Sequence, residues 1–377
     1  MKVVQRMRRY RGWGARALLL VLACFALQPP PPLVVPGPPQ VVRTQHPIVC
    51  THTRLTDEVE PWKVLRTLEM VRAMGAPTLV EYFPWAYHEG EPNQFNWTHA
   101  EMRVDFARHQ GLTVIARLGG LVPAWARVPP GGDAAEGAQR VDTFLPEERF
   151  ADFADYVYAF VRHFRGRVGH VIIWNEPNVT LEWGFRPVDP GAYARLLKMA
   201  YTRAKAADPE VVVLGGALAP TLEPATSELA LNDLIYLERL YAAGAGAYFD
   251  ALAAHAYGLK FPPEEPPAPD VLNFRRVELL RAIMNANGDS AKPIYITESG
   301  WNDSPRWTHA VRPLARVEYT LRAFEWAEAH WPDVPAVCLW AFRYPAPQRS
   351  YGDYFTLVTP EFTAKPIYEA IRDWTQE

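Results

Sequence analysis

The sequence predicts an α/β chain folded as a (β/α)8 TIM barrel, and three observations carry that expectation. Eight short runs rich in Val, Ile and Tyr follow one another along the chain. Longer stretches of helical period separate them, so strands alternate with helices as parallel crossover units require. The glycine-rich "GxGxxG" turn that an open dinucleotide-binding sheet would place after its first strand is absent. The count and the regular crossover length suit closure of the sheet into a barrel.

In chain order the runs are "PIVCTHT" from Pro47, "TLVEYF" from Thr78, "LTVIARL" from Leu112, "HVIIWNE" from His170, "VVVLGGA" from Val211, "FDALAAHAY" from Phe249, "PIYITES" from Pro293 and "AVCLWAF" from Ala336. Between them the helices have readable ends. Asp57 with Glu60 and Thr98 with Glu101 have capping-box spacing, and Gly75 and Gly111 fall where C-caps are expected. Trp62, Leu65, Leu68, Val71 and Met74 recur at helical spacing and predict a core face.

The N-terminus reads differently. Lys2, Arg6, Arg8, Arg9, Arg11 and Arg16 precede an apolar run at 17–27, and the first acidic residue is Asp57. This is the pattern of a signal peptide or N-terminal membrane anchor over 1–27. A proline-rich linker follows at 28–42, then a catalytic domain at 43–377. The chain is therefore expected to be secreted or held at the cell surface by its N-terminal segment, which is the one place where membrane tethering could arise. Cys24 in "VLAC" faintly resembles a lipidation box. Beyond residue 42 there remain 33 Lys and Arg against 42 Asp and Glu, a formal charge of −9. Such an acidic domain is a poor partner for nucleic acid. Cys50 and Cys338 each sit inside a strand-like run. Buried free thiols are the expectation, with a Cys50–Cys338 bridge as the lesser alternative.

In a (β/α)8 barrel the functional groups stand at the C-terminal ends of the strands. That rule selects Glu176 after the fourth strand, His255 and Tyr257 after the sixth, Glu298 after the seventh and Trp340 after the eighth. Two carboxylates across one barrel mouth suit cleavage of a glycosidic bond. One acid protonates the leaving oxygen while a carboxylate faces the anomeric carbon from the other side. A metal-dependent hydrolase would need a His-x-His pair or a His/Asp cluster, and "THTR" around His52 holds a single histidine. No metal and no cofactor are expected.

"IIWNEPN" and "PIYITESGW" resemble the acid/base and nucleophile segments of the clan A retaining glycoside hydrolases. Within that clan "EYFPWAYHEGEPNQFNW", "HAYG" and the closing "LVTPEFTAKPIYEAI" look most like family 39 and related bacterial glycosidases, with family 5 a close second. The resemblance implies Glu176 as general acid/base, Glu298 as nucleophile, Asn175 on the sugar 2-hydroxyl and Trp340 as the floor under the cleaved ring. It also implies that Tyr257, with His255, orients Glu298. Two close carboxylates would repel if both were ionised, so a shared proton is expected at rest. Many members of the clan place an arginine near the nucleophile from strand two, where this chain reads "TLVEYF". Arg54 or Arg117 is the candidate replacement.

The substrate expected from the resemblance is a carbohydrate, cleaved as a β-xylosidase or other β-glycosidase would. A transglycosylase on the same residues and a non-catalytic carbohydrate-binding barrel remain alternatives. Trp85, Tyr87, Trp125, Trp183 and Trp301 lie in post-strand loops, where rings could pack on sugar faces. Trp85 and Trp301 are the favoured ones, and His52 is a candidate for contact with a sugar hydroxyl. Glu81, Glu89 and Glu91 are expected to be loop or rim charges. The loops from Pro129 and Phe261 are expected to wall the cleft.

Overall fold

Eight parallel strands close into a barrel in the computed structural model of the chain, which describes residue 34 and residues 36–377. The strands are β1 (Val49–His52), β2 (Thr78–Pro84), β3 (Thr113–Gly119), β4 (His170–Ile173), β5 (Val212–Leu218), β6 (Ala251–Tyr257), β7 (Ile294–Gly300) and β8 (Val337–Leu339). Each pairs with its neighbours in sequence, and β1 pairs with both β2 and β8 to close the ring. The principal helices are α1 (Pro61–Ala73), α2 (Thr98–His109), α3 (Phe150–His163), α4 (Pro190–Ala207), α5 (Asp233–Ala242), α6 (Val277–Ala286), α7 (Pro313–His330) and α8 (Pro366–Trp374). Among the described residues, no helix is long and apolar enough to cross a membrane. The expected leader at 1–27 lies outside the described residues. At the end of the expected linker, the Gln40 amide donates to the His109 carbonyl at 2.8 Å and Val42 packs on the core.

The strands alternate between two buried layers. Inside the barrel lie Cys50, Val80, Ile115, Ile172, Leu214, Ala251 and Ala253, while the residues between them face the helices. Helix α3 shows how that outer layer forms. Phe150, Phe153, Tyr156, Val157 and Phe160 recur at three- and four-residue spacing and are all buried. Each contributes roughly 1.5–3 kcal/mol from burial, and Phe153→Ala should cost about 3–5 kcal/mol.

Three local expectations need correction. Helix α1 begins at Pro61, because proline favours the first turn, and its buried face is Val64, Leu68 and Val71, followed by Met74. Trp62 is 43% exposed, since a residue in the opening turn projects past the barrel wall. Neither Asp57 nor Thr98 caps a helix: Asp57 pairs with Arg54, and Thr98 is already inside α2. Gly75 and Gly111 do end their helices with positive φ, at 84° and 75°.

The cysteines are the third correction. Cys50 and Cys338 form a disulfide. The reason is register: barrel closure sets Cys50 directly opposite Cys338 on β1 and β8, both facing the lumen.

Candidate active site

Strand ends bring the two glutamates together, but neither arrives by simple alternation. On β6 and β7, Ala253 pairs with Tyr295 and Ala254 with Ile296, and then His255 pairs with Glu298. One extra residue, Thr297, is accommodated as a bulge, and it turns Glu298 to the same inward side as His255. On β4 the strand stops at Ile173, short of the expected run to Glu176. Trp174 and Glu176 take positive φ, at 72° and 38°, and the Glu176 amide donates to the Ala217 carbonyl at 3.0 Å. Non-glycine residues held in that region cost of order 1–3 kcal/mol. The surrounding contacts thus hold a costly turn that lifts Asn175 and Glu176 to the barrel mouth.

Glu298 is nearly enclosed, its side chain 9% exposed, and each of its oxygens has a donor. Arg117 Nη1 reaches Oε1 at 3.0 Å and also donates to Asn175 Oδ1 at 2.9 Å. Tyr257 donates its hydroxyl proton to Oε2 at 2.8 Å. Of the two cations proposed from sequence, Arg117 is the one at the nucleophile position; Arg54 is bound to Asp57 at 3.1 Å.

His255 stands between the carboxylates. Its Nδ1 lies 2.7 Å from Glu176 Oε1 and 3.6 Å from Glu298 Oε2. Atoms from all three side chains fall within 4.8 Å of one another. Burial opposes a charge on this imidazole, yet the charge of Glu298 and the bond to Glu176 together raise its pKa. His255 is thus a third group within reach of the proton expected between the two glutamates. Burial first, then Glu298, pushes the Tyr257 phenol well up, so it stays a donor.

A cavity of about 510 Å³ opens over this group, lined by Glu176, Tyr257, Glu298, Trp340 and Tyr344. Its outer wall includes Trp307 from the loop after β7, and Gln348, Tyr351 and Phe355 from the segment after β8. Trp340 is half-buried and faces the cavity, with its indole N–H donating to the Tyr344 hydroxyl at 3.0 Å.

Three candidate contacts lie elsewhere. Trp85 is fully buried among Trp125, Phe153 and Tyr156, and its indole donates to Glu89 at 2.6 Å. Trp301 is 2% exposed; its indole donates to the Phe261 carbonyl, and a Cβ on Gly258 would overlap its ring. Both rings belong to the core packed between strands and helices, and neither lines the cavity. His52 is 0% exposed beneath Trp340, with ring centroids 4.7 Å apart, so it has no open path to a ligand. Burial, then Arg117, keeps this histidine's pKa low, and neither ring nitrogen has a partner among the described residues.

Of the three glutamates expected as loop or rim charges, Glu89 is buried instead, and so is Glu81. It accepts from the Leu55 and Thr56 amides at 2.8 and 2.9 Å and pairs with Arg103 at 3.0 Å, which anchors the loop after β1. Glu182 was not anticipated. It sits six residues beyond Glu176 in an aperiodic loop, and burial, then the charge of Glu176, raises its pKa to about 7. The one available signal was a carboxylate flanked by hydrophobic Leu181 and Trp183.

No family model matches the sequence, and a search of curated proteins finds no match. Solved structures do resemble it. A family 39 glycoside hydrolase from the gut symbiont Bacteroides cellulosilyticus is 20% identical with a TM-score of 0.68, matching over 90% of this chain and 65% of that one. The family 39 enzyme from Xanthomonas axonopodis pv. citri is 19% identical, with a TM-score of 0.62 over 89% of this chain and 67% of that one. A family 5 subfamily 18 protein from Streptomyces cattleya, in complex with GlcNAc, is 15% identical with a TM-score of 0.63 over 90% and 80%. The chain spans about 65% of the length of the first of these. The shared property is the fold, a (β/α)8 barrel whose solved neighbours include glycoside hydrolases of families 39 and 5.

Proposed function

We propose that the protein is a retaining glycoside hydrolase that cleaves β-O-glycosidic bonds of an oligo- or polysaccharide by double displacement. The observation that carries this reading is the pair Glu176 and Glu298, within 4.8 Å through His255, with Glu298 oriented by Arg117 and Tyr257. The close approach supports retention, for which carboxyl separations are about 5–5.5 Å, over inversion, which needs about 6.5–9.5 Å to admit a water.

In this mechanism Glu298 attacks the anomeric carbon while the leaving oxygen takes a proton from the Glu176–His255 pair. Across 2.7 Å, one proton can be shared between imidazole and carboxyl. Formation of the glycosyl ester removes the negative charge on Glu298, and with it one reason for His255 to hold a proton. The pair therefore stays deprotonated and accepts the next proton from the attacking water. Asn175, fixed by Arg117, holds the 2-hydroxyl, and Trp340 underlies the ring. An exported location goes with this reading, since disulfides persist in oxidising compartments.

Aryl β-glycosides of graded leaving-group ability, tested on wild type and on Glu176→Ala, address the acid role. Loss of the acid should cost about 10²–10⁴-fold on poor leaving groups and far less in the first step on good ones. An equal loss across the series would contradict it.

A further inference from the structure

A second cavity of about 240 Å³ lies beside Asn175, and neither Glu176 nor Glu298 lines it. Its walls are Arg54, Asp57, Tyr82, Arg117, Asn175 and Glu182, with Tyr87 at its edge. Arg117 joins the two spaces, since the same Nη1 bonds Asn175 and Glu298. We propose that this cavity is a glycone subsite for a second sugar unit, attached through the 2- or 3-hydroxyl of the ring that is cleaved. The proposal rests on the glycosidase reading.

The position follows from the roles of the two glutamates. A proton donor must lie within hydrogen-bond reach of the leaving oxygen, and Glu176, Glu298 and Trp340 all line the larger cavity, so that space takes the cleaved ring together with the leaving group. The smaller cavity meets the reacting ring through Asn175, on the 2-hydroxyl side. Whatever enters it stays on the sugar whose anomeric carbon is bound to Glu298.

The chemistry of the walls selects a neutral polyol. Arg54 and Arg117 offer only donors, whereas the carboxylate of Asp57 offers only acceptors. An anionic ligand would meet Asp57 and Glu182, and a cation would meet two guanidiniums. Sugar hydroxyls satisfy both kinds of wall. Glu182, whose carboxyl titrates near neutrality, can serve as donor or acceptor. Tyr87 is 56% exposed and presents a ring at the edge on which a pyranose face can pack. The space equals the liquid volume of about eight waters, which accommodates a pyranose ring with one side open to solvent.

The subsite is also built in advance. Arg54 takes φ 58° and is tied to Asp57, and the loop that carries both is anchored by buried Glu81 through the Leu55 and Thr56 amides. A preformed wall loses little conformational freedom on binding.

The test compares 4-nitrophenyl β-glycosides of xylose, glucose and galactose with matched glycosides whose glycone is the 1,2-, 1,3- or 1,4-linked disaccharide. For a sugar that the wild type accepts, the 1,2- or 1,3-linked disaccharide should have kcat/KM about tenfold above the monosaccharide. Tyr87→Ala should remove most of that advantage and leave the monosaccharide rate unchanged. Tyr87→Phe, which keeps the ring, should retain the advantage. Equal or better turnover of the monosaccharide, or an advantage that survives Tyr87→Ala, overturns the subsite and leaves the glycosidase reading in place. Absence of hydrolysis with every member of the panel overturns both.

Discussion

The disulfide joins residues 288 positions apart, so its removal should be felt across the whole barrel. In the chain-entropy relation, a closed loop of that size restricts the unfolded chain by about 5–6 kcal/mol at 25 °C, while bridges typically deliver about 2–4 kcal/mol. Taking about 4 kcal/mol, the melting shift follows from domain size. The unit Pro38–Glu377 has an unfolding entropy of roughly 0.7 kcal/mol/K at about 2.1 cal/mol/K per residue. The midpoint should therefore fall by about 6 °C when the protein is reduced, or in Cys50→Ala/Cys338→Ala. Differential scanning calorimetry with and without reductant reads this directly, and alkylation of the denatured protein followed by intact mass counts free thiols. Two alkylated thiols at Cys50 and Cys338 without reductant, or a shift below about 1 °C, would refute the reasoning. His52 and Trp340 lie two residues beyond the two cysteines and touch each other, so activity should fall together with stability in the reduced protein.

Arg117→Lys should lower kcat/KM about a hundredfold or more, the scale of one lost preorganised donor, because the lysine side chain is one bond shorter and does not carry its nitrogen to the Nη1 position that serves Glu298 and Asn175 together. Steady-state kinetics check this, and near wild-type turnover would remove Arg117 from its role. Glu182 makes stability depend on pH. Its folded pKa of about 7 lies above the ordinary 4.5, so the folded state holds the proton longer. Stability should fall as pH rises from about 4.5 to 7, by at most about 3 kcal/mol. Glu182→Gln should abolish that fall and raise the thermal midpoint relative to wild type more at pH 8 than at pH 4. Parallel curves for the two proteins would contradict it.

The barrel, and the position of both glutamates at the C-terminal ends of its strands, were legible because strand-like runs are a periodic signal. Strand-like runs fix where β-structure stops, and in a barrel the stopping points are the functional rim. Even so, the run ending at Glu176 gave no sign that the strand stops at Ile173, and the bulge that turns Glu298 inward depends on pairing with β6. Sequence favours separate thiols at Cys50 and Cys338 over a bridge because their adjacency exists only after β1 meets β8. Trp85 and Trp301 occupy the same kind of post-strand position as a sugar-binding ring would. Their direction is set by long-range packing, by Phe153 and Tyr156 for the first and Gly258 for the second. Arg117 was one of two possible cations until barrel closure brought its guanidinium to Glu298. Glu182 belongs to a loop with no period, so only the folded chain shows it beside Asn175.

The central claim is that Glu298 becomes covalently bonded to the sugar. Incubation of the wild type with a panel of activated 2-deoxy-2-fluoro β-glycosides, in which the fluorine slows breakdown of the ester, should trap that species for the sugar accepted. Intact mass should rise by one fluoroglycosyl unit, and fragmentation should place it on the peptide carrying Glu298. A label on Glu176 or Glu182, or hydrolysis of the parent glycoside with inversion and no covalent species, would contradict the account.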